Sequence, residues 1–521
     1  MTEAADRLFV DGEIHTLERP SETYEAMAVR DGEIVRLGPT REIAFLEGVE
    51  TDVIDCNGRV VLPGFIDAHT HMENLGRSLV HADLAGASTR EVALERLSEQ
   101  ATANDREWIL GFGYDESDWN ESRYLTREDL DAVSDERPVI AVRVDMHTAS
   151  LNTVALEKLA DAMAATDIET KGGEPTGVVL EEATDAVWEA IEPGYAETRE
   201  LVTAAISRAS ELGVTCVHDM NRQSASPRVY RDLEASGDLE CRVRLNYWSD
   251  HLESAVDVGL ATNGGSEFVR TGAIKTFTDG SIGGRTAKVS ESYADGSAAG
   301  SRDDHAGDGN CGQWVVDPGE LEDLATRADD AGFQLSVHAI GDEAIEETVS
   351  VLETTTDPAG SRHRIEHAEL ASDDAIERMA KAGIIASMQP NFHQWAGEGG
   401  LYDQRLGRSR RRRSNRLRAM LEAGVALALG SDCMPLDPLL GVHHAVNAPA
   451  DAQRLSVTEA LRAYTLGGAY AGFDEDRLGT LEVGKRADLV VLEASPWEQS
   501  DRIEEIDVSM TVVDGEVVFE R

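Results

Sequence analysis

The chain has 521 residues, 41% of them hydrophobic, and its 98 acidic and 48 basic residues give a formal charge of −50. The hydrophobic fraction argues against a disordered chain, and the negative charge argues against nucleic acid as a partner. The acidic residues are spread along the whole sequence, and only six lysines are present. This pattern is typical of a halophilic surface, which stays hydrated and self-repelling in concentrated salt.

The cysteines and the amino terminus bear on localisation. The cysteines are odd in number and scattered, at positions 56, 216, 241, 311 and 433. This spacing favours reduced thiols over a disulfide framework. The first residues lack the basic and apolar segments of a signal peptide, and no run approaches the roughly 18 apolar residues of a membrane span. The sequence predicts a soluble, cytoplasmic protein that does not bind a membrane.

Both ends of the chain contain short strand patterns. FVDGEIHTL and AVRDGEIVRLG lie near the start, and ADLVVLEASP and MTVVDGEVVFER lie near the end. Three of these segments contain Asp-Gly, which is a strong signal for a β-hairpin turn. Because an isolated hairpin is seldom stable, we expect one β-domain built from 1–62 and 476–521. Two unrelated small sheets are the alternative.

Between the ends, apolar runs alternate with helical stretches. The runs are VVLPGFIDAH, GVTCVHDM, CRVRLNYW, GAIKTFTDG, FQLSVHAIGD, HRIEHAEL, GIIASMQP and VALALGSD. Amphipathic helices that stop at glycine precede some of them, as in LEDLATRADDAG and AIERMAKAG. Eight β-then-α repeats predict an α/β fold with a (β/α)8 barrel over 63–475.

The spacing of the runs is irregular at one place. About 140 residues separate the first run from the second, and they contain strand-like pieces of their own. We therefore expect an inserted α/β subdomain, 78–205, after the first barrel strand. The polar segment 298–313 is interpreted as either an active-site loop or a mobile surface loop, and the sequence does not decide between them.

Polar side chains interrupt or follow several of the apolar runs. The carboxyl ends of barrel strands meet on one face, where reacting groups lie. A His-x-His pair can bind one ion from one side, because residues i and i+2 of a strand share a face. Imidazole and carboxylate suit Zn²⁺, and also other first-row divalent ions. The sequence therefore predicts a site for a divalent metal, formed by His69, His71, His338, His367 and Asp432 with Lys275 beside them.

Lys275 follows an apolar pair of residues in AIKTFTDG. A protonated lysine offers no lone pair and would be repelled by metal cations. Burial lowers the pKa of a lysine, and the neutral amine can then capture CO₂ to become a carbamate that bridges two metals. Arginine cannot replace it there, because a guanidinium does not deprotonate in proteins. The alternative is an ordinary lysine that pairs with Asp279 or with a substrate anion.

Motifs along nearly the whole chain resemble those of a known family. They are LPGFIDAHTHM, KTFTDGSIGGRTA, VHAIGD, RIEHAEL, MQP, GSDCMP, EALRAYTLGGAYA and GTLEVGKRADLVVL. In this order they resemble the amidohydrolase superfamily, and more closely the amidohydrolase-3 branch that contains N-substituted formamide deformylases. The resemblance implies a distorted TIM barrel, a composite β-sandwich domain from both termini, and a mono- or binuclear metal site.

The resemblance also implies a role for each candidate ligand. His69 and His71 would bind one metal ion, and His338 and His367 would bind the other. Lys275 would be the bridging carboxylated lysine. Asp432 would be both a metal ligand and the proton shuttle, with capping of the following helix as its alternative role.

The expected reaction is hydrolysis of a small-molecule amide, or of another non-peptide carbon–nitrogen bond, by a metal-activated hydroxide. Asp432 would pass the proton to the leaving nitrogen. A deaminase or a cyclic-amide hydrolase on the same scaffold is an alternative, and so is a non-catalytic regulator, which would be expected to lack some of the ligands. The sequence leaves the oligomeric state open, with a homodimer as the working expectation.

Other residues are candidates for substrate binding. His218, Gln389 and Trp395 follow or end barrel strands, although His218 could equally be a hydrogen-bonded core histidine. His147 and Asn152 lie in the insertion, where they could cover the site or stabilise the fold. The basic run GRSRRRRSNRLR, 407–418, is interpreted as a solvated helix start or as partners of acidic neighbours, with attraction of an anionic substrate as the alternative.

Overall fold

The computed structural model of the chain describes residues 4–144, 146–295 and 310–521. The chain divides into two compact units, one formed by Met1–His71 with Ile206–Arg521 and the other by Met72–Ala205. Most of the segment 298–313, predicted as a polar loop, lies outside the described residues. No helix in the described part of the chain is long and apolar enough to cross a membrane.

The larger unit contains a sheet of eight parallel strands that neighbour one another in chain order. Each predicted apolar run contains most or all of one of them: β1 (Phe65–Thr70), β2 (Val214–Asn221), β3 (Arg242–Trp248), β4 (Val269–Phe277), β5 (Leu335–Ala339), β6 (Arg364–His367), β7 (Ile385–Met388) and β8 (Leu427–Leu429). The chain after β8 returns to β1, because the backbone N–H of Asp432 donates to the carbonyl of His69 at 2.8 Å. The sheet is thus a nearly closed, TIM-like barrel.

The first apolar run is shared between two sheets. Val60–Pro63 belongs to another sheet of the larger unit, and Phe65–Thr70 is the first barrel strand. Gly64 lies between the two strands. A Cβ atom at this position would lie 2.2 Å from the side chain of Thr215, so a larger residue would not fit. Hydrophobic periodicity does not mark this break, since both strands are buried along their whole length.

Helices follow most of the barrel strands. Those of the larger unit are Thr40–Ile43, Ser226–Ser236, Leu252–Asp257, Pro318–Asp330, Asp342–Leu352, Pro358–Ser361, Asp373–Ala382, Leu401–Arg411, Leu417–Ala423, Pro438–Val446, Val457–Arg462 and Gly468–Ala471. Helix Asp373–Ala382 begins where the Ser372 hydroxyl accepts the N–H of Ala375 at 3.0 Å. The two predicted stops at glycine are confirmed, because Gly332 and Gly383 have φ values of 75° and 72°.

Two further sheets of the larger unit share one core. In sheet order, one contains Glu33–Gly38, Ala26–Arg30, Arg7–Val10 and Asp52–Asp55. The other contains Glu516–Glu520, Val508–Val513, Leu489–Leu492, Val60–Pro63, Glu13–His15 and Thr23–Tyr24. Phe9 and Met27 from the first sheet pack in one buried cluster with Ile14, Leu489 and Val512 from the second. Strands from both ends of the chain therefore meet in one sheet.

Two of the three Asp-Gly turns form hairpins. Asp31-Gly32 and Asp514-Gly515 have positive φ at both residues and join antiparallel strands. The hairpin expected at Asp11-Gly12 is wrong. Strand Arg7–Val10 pairs in the four-stranded sheet, whereas Glu13–His15 pairs in the six-stranded one. Only Asp11 of that pair has positive φ, so the chain crosses between sheets instead of turning back.

The smaller unit is built on one mixed sheet. Its strands, in sheet order, are Ile168–Lys171, Glu174–Leu180, Thr148–Leu151, Val139–Arg143, Ile109–Tyr114 and Ala82–Asp83. Ile140 and Val142 pack in one cluster, and Val139 and Ala141 pack in another, so the central strands are covered on both faces. The helices are Met72–Val80, Arg90–Ala103, Arg127–Asp131, Thr153–Leu159 and Glu182–Ala190, with Tyr195–Glu211 running through the unit boundary.

Candidate metal centre and its cavity

The six residues predicted to form the metal site line one cavity of about 300 Å³. Each of them lies near the carboxyl end of a barrel strand or directly after it. They are His69 in β1 and His71 after it, Lys275 in β4, His338 in β5, His367 at the end of β6, and Asp432 after β8. The barrel therefore brings together side chains that are separated by several hundred residues of sequence.

His69, His71 and Asp432 form the tightest group. Oδ1 of Asp432 lies 3.2 Å from Nε2 of His71 and 3.6 Å from Nε2 of His69. One ligand atom from each of the three residues lies within 4.8 Å of the others. Two imidazoles and a carboxylate at this spacing fit a single divalent metal ion.

Glu366 fixes the orientation of His69. Nδ1 of His69 lies 2.7 Å from Oε2 of Glu366, and both side chains are buried. Burial acts to raise the pKa of Glu366, but the charge of Arg364 and the hydrogen bond from His69 outweigh it and hold the pKa well below its ordinary value. Because a carboxylate only accepts, Nδ1 carries the hydrogen and Nε2 keeps its lone pair on the side of Asp432.

His338 is oriented by a backbone carbonyl. Nε2 of His338 lies 3.0 Å from the carbonyl oxygen of Gly280, which can only accept, so Nδ1 keeps its lone pair. The rings of His338 and His367 are 4.5 Å apart between centroids. Nδ1 of His367 is buried and has no hydrogen-bond partner among the described residues. This second pair of imidazoles, beside the first group, has the donor atoms that a second metal ion would need.

Two of the candidate ligands have left-handed backbone conformations. His367 has a φ of 72° and Asp432 a φ of 56°. This region costs a non-glycine residue about 1–3 kcal/mol, and residues held in it cluster at active sites. Both residues lie where a barrel strand has just ended, so the unusual backbone turns their side chains at the cavity.

Lys275 is completely buried, and its Nζ has no hydrogen-bond partner in the described part of the chain. Burial lowers the pKa of this amine to about 8. The pairing with Asp279 that was the alternative is wrong. The Asp279 carboxylate instead accepts, at 2.8–3.0 Å, the backbone N–H groups of Lys288, Ile340 and Gly341.

The ionisation states of the cluster suit a metal. Burial lowers the pKa of His69 to about 4 and that of His338 to about 3, and the charge of Lys275 acts in the same direction. Burial acts to raise the pKa of Asp432, but His69 and His71 outweigh it and hold the pKa below its ordinary value. Neutral imidazoles and an ionised carboxylate are the forms that bind a divalent ion.

A buried hydrogen-bond network behind His69 was missed by the sequence reasoning. Nε of Arg364 and the hydroxyl of Ser336 donate to Oε1 of Glu366 at 2.7 and 2.6 Å. Another nitrogen of Arg364 lies 2.8 Å from Nδ1 of His218. His218 therefore has the core hydrogen-bonding role that was its alternative, and it is not among the residues that line the cavity. The sequence contained one signal of this network. Arg364 and Glu366 are two residues apart in one strand, so their opposite charges lie on the same face of it.

The rest of the cavity is largely apolar. Its lining includes Phe277, Ile282, Phe392, Trp395, Leu401 and Tyr402. Among these, only Trp395 was a candidate from the sequence. Glu369 also lines the cavity and was missed, although it stands two residues after His367 in the quoted motif RIEHAEL. Burial raises the pKa of Glu369 to about 7.

Three weaker candidates have structural contacts of their own. Gln389 is buried, and its amide donates to the carbonyl of Ser387 at 3.4 Å. His147 belongs to the smaller unit and is exposed, with Nδ1 3.7 Å from the carboxylate of Glu181. Asn152 lies in the same unit, and its side chain accepts the N–H of Ala155 at 2.9 Å. This hydrogen bond caps helix Thr153–Leu159, which agrees with the alternative that Asn152 stabilises the fold.

The basic run 407–418 is engaged with acidic neighbours. Ion pairs join Arg411 to Asp403, Arg416 to Asp373 and Arg418 to Glu459. Arg410 donates to the carbonyls of Leu406 and Ser292. These contacts agree with the interpretation of the run as partners of acidic side chains, and they argue against a role in attracting an anionic substrate.

Comparisons with known proteins agree with this architecture. A family model described as "Amidohydrolase family" matches residues 52–519. The candidate amidohydrolase YtcJ of Bacillus subtilis (strain 168) is 30% identical, with 98% of each chain covered. The N-substituted formamide deformylase of Arthrobacter pascens is 28% identical, over 100% of this chain and 99% of that protein.

A solved structure is similar over nearly the whole fold. An uncharacterised metal-dependent hydrolase from Pyrococcus furiosus has a TM-score of 0.79 and 28% identity, covering 94% of this chain and 99% of that one. The chain belongs to the amidohydrolase family, and it is an enzyme acting on carbon–nitrogen bonds other than peptide bonds.

Proposed function

We propose that this enzyme hydrolyses a small-molecule amide, with N-substituted formamides as the leading class, using one or two divalent metal ions of which Zn²⁺ is the first candidate. The observation that carries the proposal is the meeting of four imidazoles and Asp432 in one cavity. The similarity to a formamide deformylase over the full length supports the substrate class.

The ligands divide into two groups. His69, His71 and Asp432 would hold one ion, and His338 and His367 would hold the other. Lys275 would bridge them as a carbamate, formed when its neutral amine attacks CO₂ and one proton is released. The burial of Lys275 and its lack of a partner among the described residues support this role. A divalent ion bound there supplies a Lewis acid and activates water near neutral pH.

Asp432 is the proposed proton carrier. Its carboxylate takes a proton from the attacking water and passes it to the nitrogen of the leaving amine, so that a carboxylic acid and an amine are formed. The apolar wall of the cavity keeps other water away from the reacting carbonyl. Glu366 holds His69 in the tautomer that presents Nε2 to the cluster.

The first test is the metal content of protein purified in high salt without chelator, followed by a screen of N-formyl and N-acyl amides. About two ions per chain with amide turnover would support the full proposal. About one ion would indicate a mononuclear site with another role for Lys275. No metal and no turnover, even after reconstitution with bicarbonate and divalent metal, would contradict it.

The products distinguish the alternatives on the same scaffold. A formamide hydrolase releases formate and an amine from one substrate. A deaminase would release ammonia from an amino-substituted ring. A cyclic-amide hydrolase would open a ring and form a single product. Mass spectrometry of the reaction mixture separates the three.

A further inference from the structure

One carboxyl group in the cavity lies outside the ligand set. Glu369 is 1% exposed, lines the cavity, and follows His367 by two residues. Nothing in the proposed hydrolysis uses it. A carboxyl group buried beside a substrate cavity needs a physical reason, because burying a charge without compensation is costly.

The contacts of Glu369 are with neutral donors. The amide of Asn415 donates to Oε2 of Glu369 at 3.1 Å, and the hydroxyl of Tyr402 forms a hydrogen bond with the carboxyl group. No lysine or arginine among the described residues forms an ion pair with it. By contrast, Glu366 has Arg364 at 2.7 Å. Glu369 is therefore a cavity carboxyl group with which no cationic side chain is paired in the part of the chain that the structure describes.

Aromatic side chains connect the metal cluster to Glu369. The rings of His367 and Phe392 are stacked at 5.9 Å, those of Phe392 and Trp395 lie 4.9 Å apart, and those of Trp395 and Tyr402 lie 6.3 Å apart. The hydroxyl at the end of this row contacts Glu369. An apolar wall that ends in a carboxylate suits an organic cation, because ring faces and the carboxylate both attract positive charge.

We propose that Glu369 is a specificity-determining residue that binds a protonated amine on the substrate. The substrate class is then an amide whose nitrogen substituent has a short apolar body ending in an ammonium group. The chain that carries the ammonium group must be attached to the amide nitrogen, because the carbonyl carbon of a formamide carries only hydrogen. This inference rests on the proposed function, and it adds the chemistry of the group that leaves.

The test uses a matched pair of formamides. N-(4-Aminobutyl)formamide and N-pentylformamide have the same shape, and they differ in a terminal ammonium or methyl group. Wild-type enzyme should prefer the charged substrate in kcat/KM by about tenfold or more, as expected for a charge-assisted hydrogen bond. In Glu369→Gln the two substrates should have about equal kcat/KM, because the glutamine amide cannot balance the charge of the substrate's ammonium group.

A matched variant controls for the loss of one negative charge. Glu377 is exposed on helix Asp373–Ala382, and Glu377→Gln should keep the wild-type preference. Glu369→Asp keeps the carboxylate and should keep a preference in the same direction. If Glu369→Gln does not fold, the wild-type ratio still decides, since equal or better turnover of N-pentylformamide overturns the inference.

Failure of the proposed function gives a different result. If wild-type enzyme hydrolyses neither formamide, the proposed reaction is wrong for this class. Calorimetric binding of the same two formamides then tests Glu369 without turnover. A preference for the charged compound that Glu369→Gln removes supports the inference, and equal binding of the two contradicts it.

Discussion

The two halves of the candidate metal centre are oriented by different means. In the first half, His69 is held by a side-chain carboxylate, Glu366, which is itself held by Arg364 and Ser336. In the second half, His338 is held by a single backbone carbonyl, and His367 packs against Phe392. The first half therefore depends on a charged network that one substitution can break. The second depends on backbone position and ring packing, which tolerate substitution better.

The largest effect is expected from removing the proton carrier of the first half. Asp432→Asn preserves the shape of the side chain but cannot accept a proton, so kcat should fall by about 10²- to 10⁴-fold. The fold should remain, as measured by circular dichroism and thermal unfolding. A variant with wild-type kcat would remove Asp432 from the mechanism; capping of the following helix is not its role either, because Asp437 accepts the N–H of Leu440 at 3.0 Å there.

Lys275 tests whether the two halves are joined. If it bridges two ions, Lys275→Ala should weaken metal binding at both halves by more than about 100-fold, and activity should be lost with the metal. The measurement is metal content after dialysis against a buffered series of free Zn²⁺. Normal metal content and normal turnover in this variant would exclude the carbamate bridge.

The same lysine predicts a pH dependence. Carbamate formation needs the neutral amine, and burial lowers the pKa of Lys275 to about 8. At a fixed concentration of dissolved CO₂, the rate at which metal reactivates chelator-treated enzyme should therefore increase as pH rises and level off just above pH 8. With an ordinary lysine the increase would continue to a pH of about 10.4.

Glu366→Gln should break the network of the first half. Because the amide disturbs the tautomer and orientation of His69, metal affinity should fall by about 10- to 100-fold, and excess metal should restore much of kcat. Ser336→Ala is the matched control, since Ser336 donates to the other carboxylate oxygen. It should cost about 1 kcal/mol of stability and affect metal affinity less. Equal losses of affinity in both variants would contradict the orienting role.

The smallest effect is expected in the second half. Phe392→Leu keeps an apolar side chain but removes the ring stacked on His367. Aromatic pairs are worth about 0.5–1.5 kcal/mol, so metal affinity should fall by about tenfold or less. A loss as large as that of Glu366→Gln would show that ring packing orients a ligand as strongly as a charged network does.

Much of the fold was predictable because the apolar runs are short, buried and separated by helices that stop at glycine. Each of the eight barrel strands lies wholly or mostly within one of the predicted runs. Two local features were not predictable. The run VVLPGFIDAH contains two strands of different sheets, and Asp11-Gly12 connects two sheets instead of forming a hairpin. In both places the pairing partner decides the outcome, and it lies far away in sequence.

The site was predictable where function requires an unusual residue at a strand end. His69, His338 and His367 stand out in this way, as does a buried lysine in a chain with six of them. Glu366 and Glu369 did not stand out, because an acidic residue is unremarkable in a sequence with 98 acidic side chains. Their roles depend on the direction of each side chain and on the partners that the barrel brings to it. Hydrophobic periodicity does not contain that information.

The bond between the two ends of the barrel has a consequence for folding. The Asp67 carboxylate accepts the N–H of His69 at 3.1 Å and that of Ser431 at 2.9 Å, a contact between residues 364 positions apart. His69 and Asp432 can therefore meet only after the chain has been synthesised past β8 and the last strand has reached the first. A ribosome-bound fragment that ends before β8 would contain the four histidines without Asp432. Tight metal uptake would thus mark the completion of the barrel, late in a folding process dominated by long-range contacts.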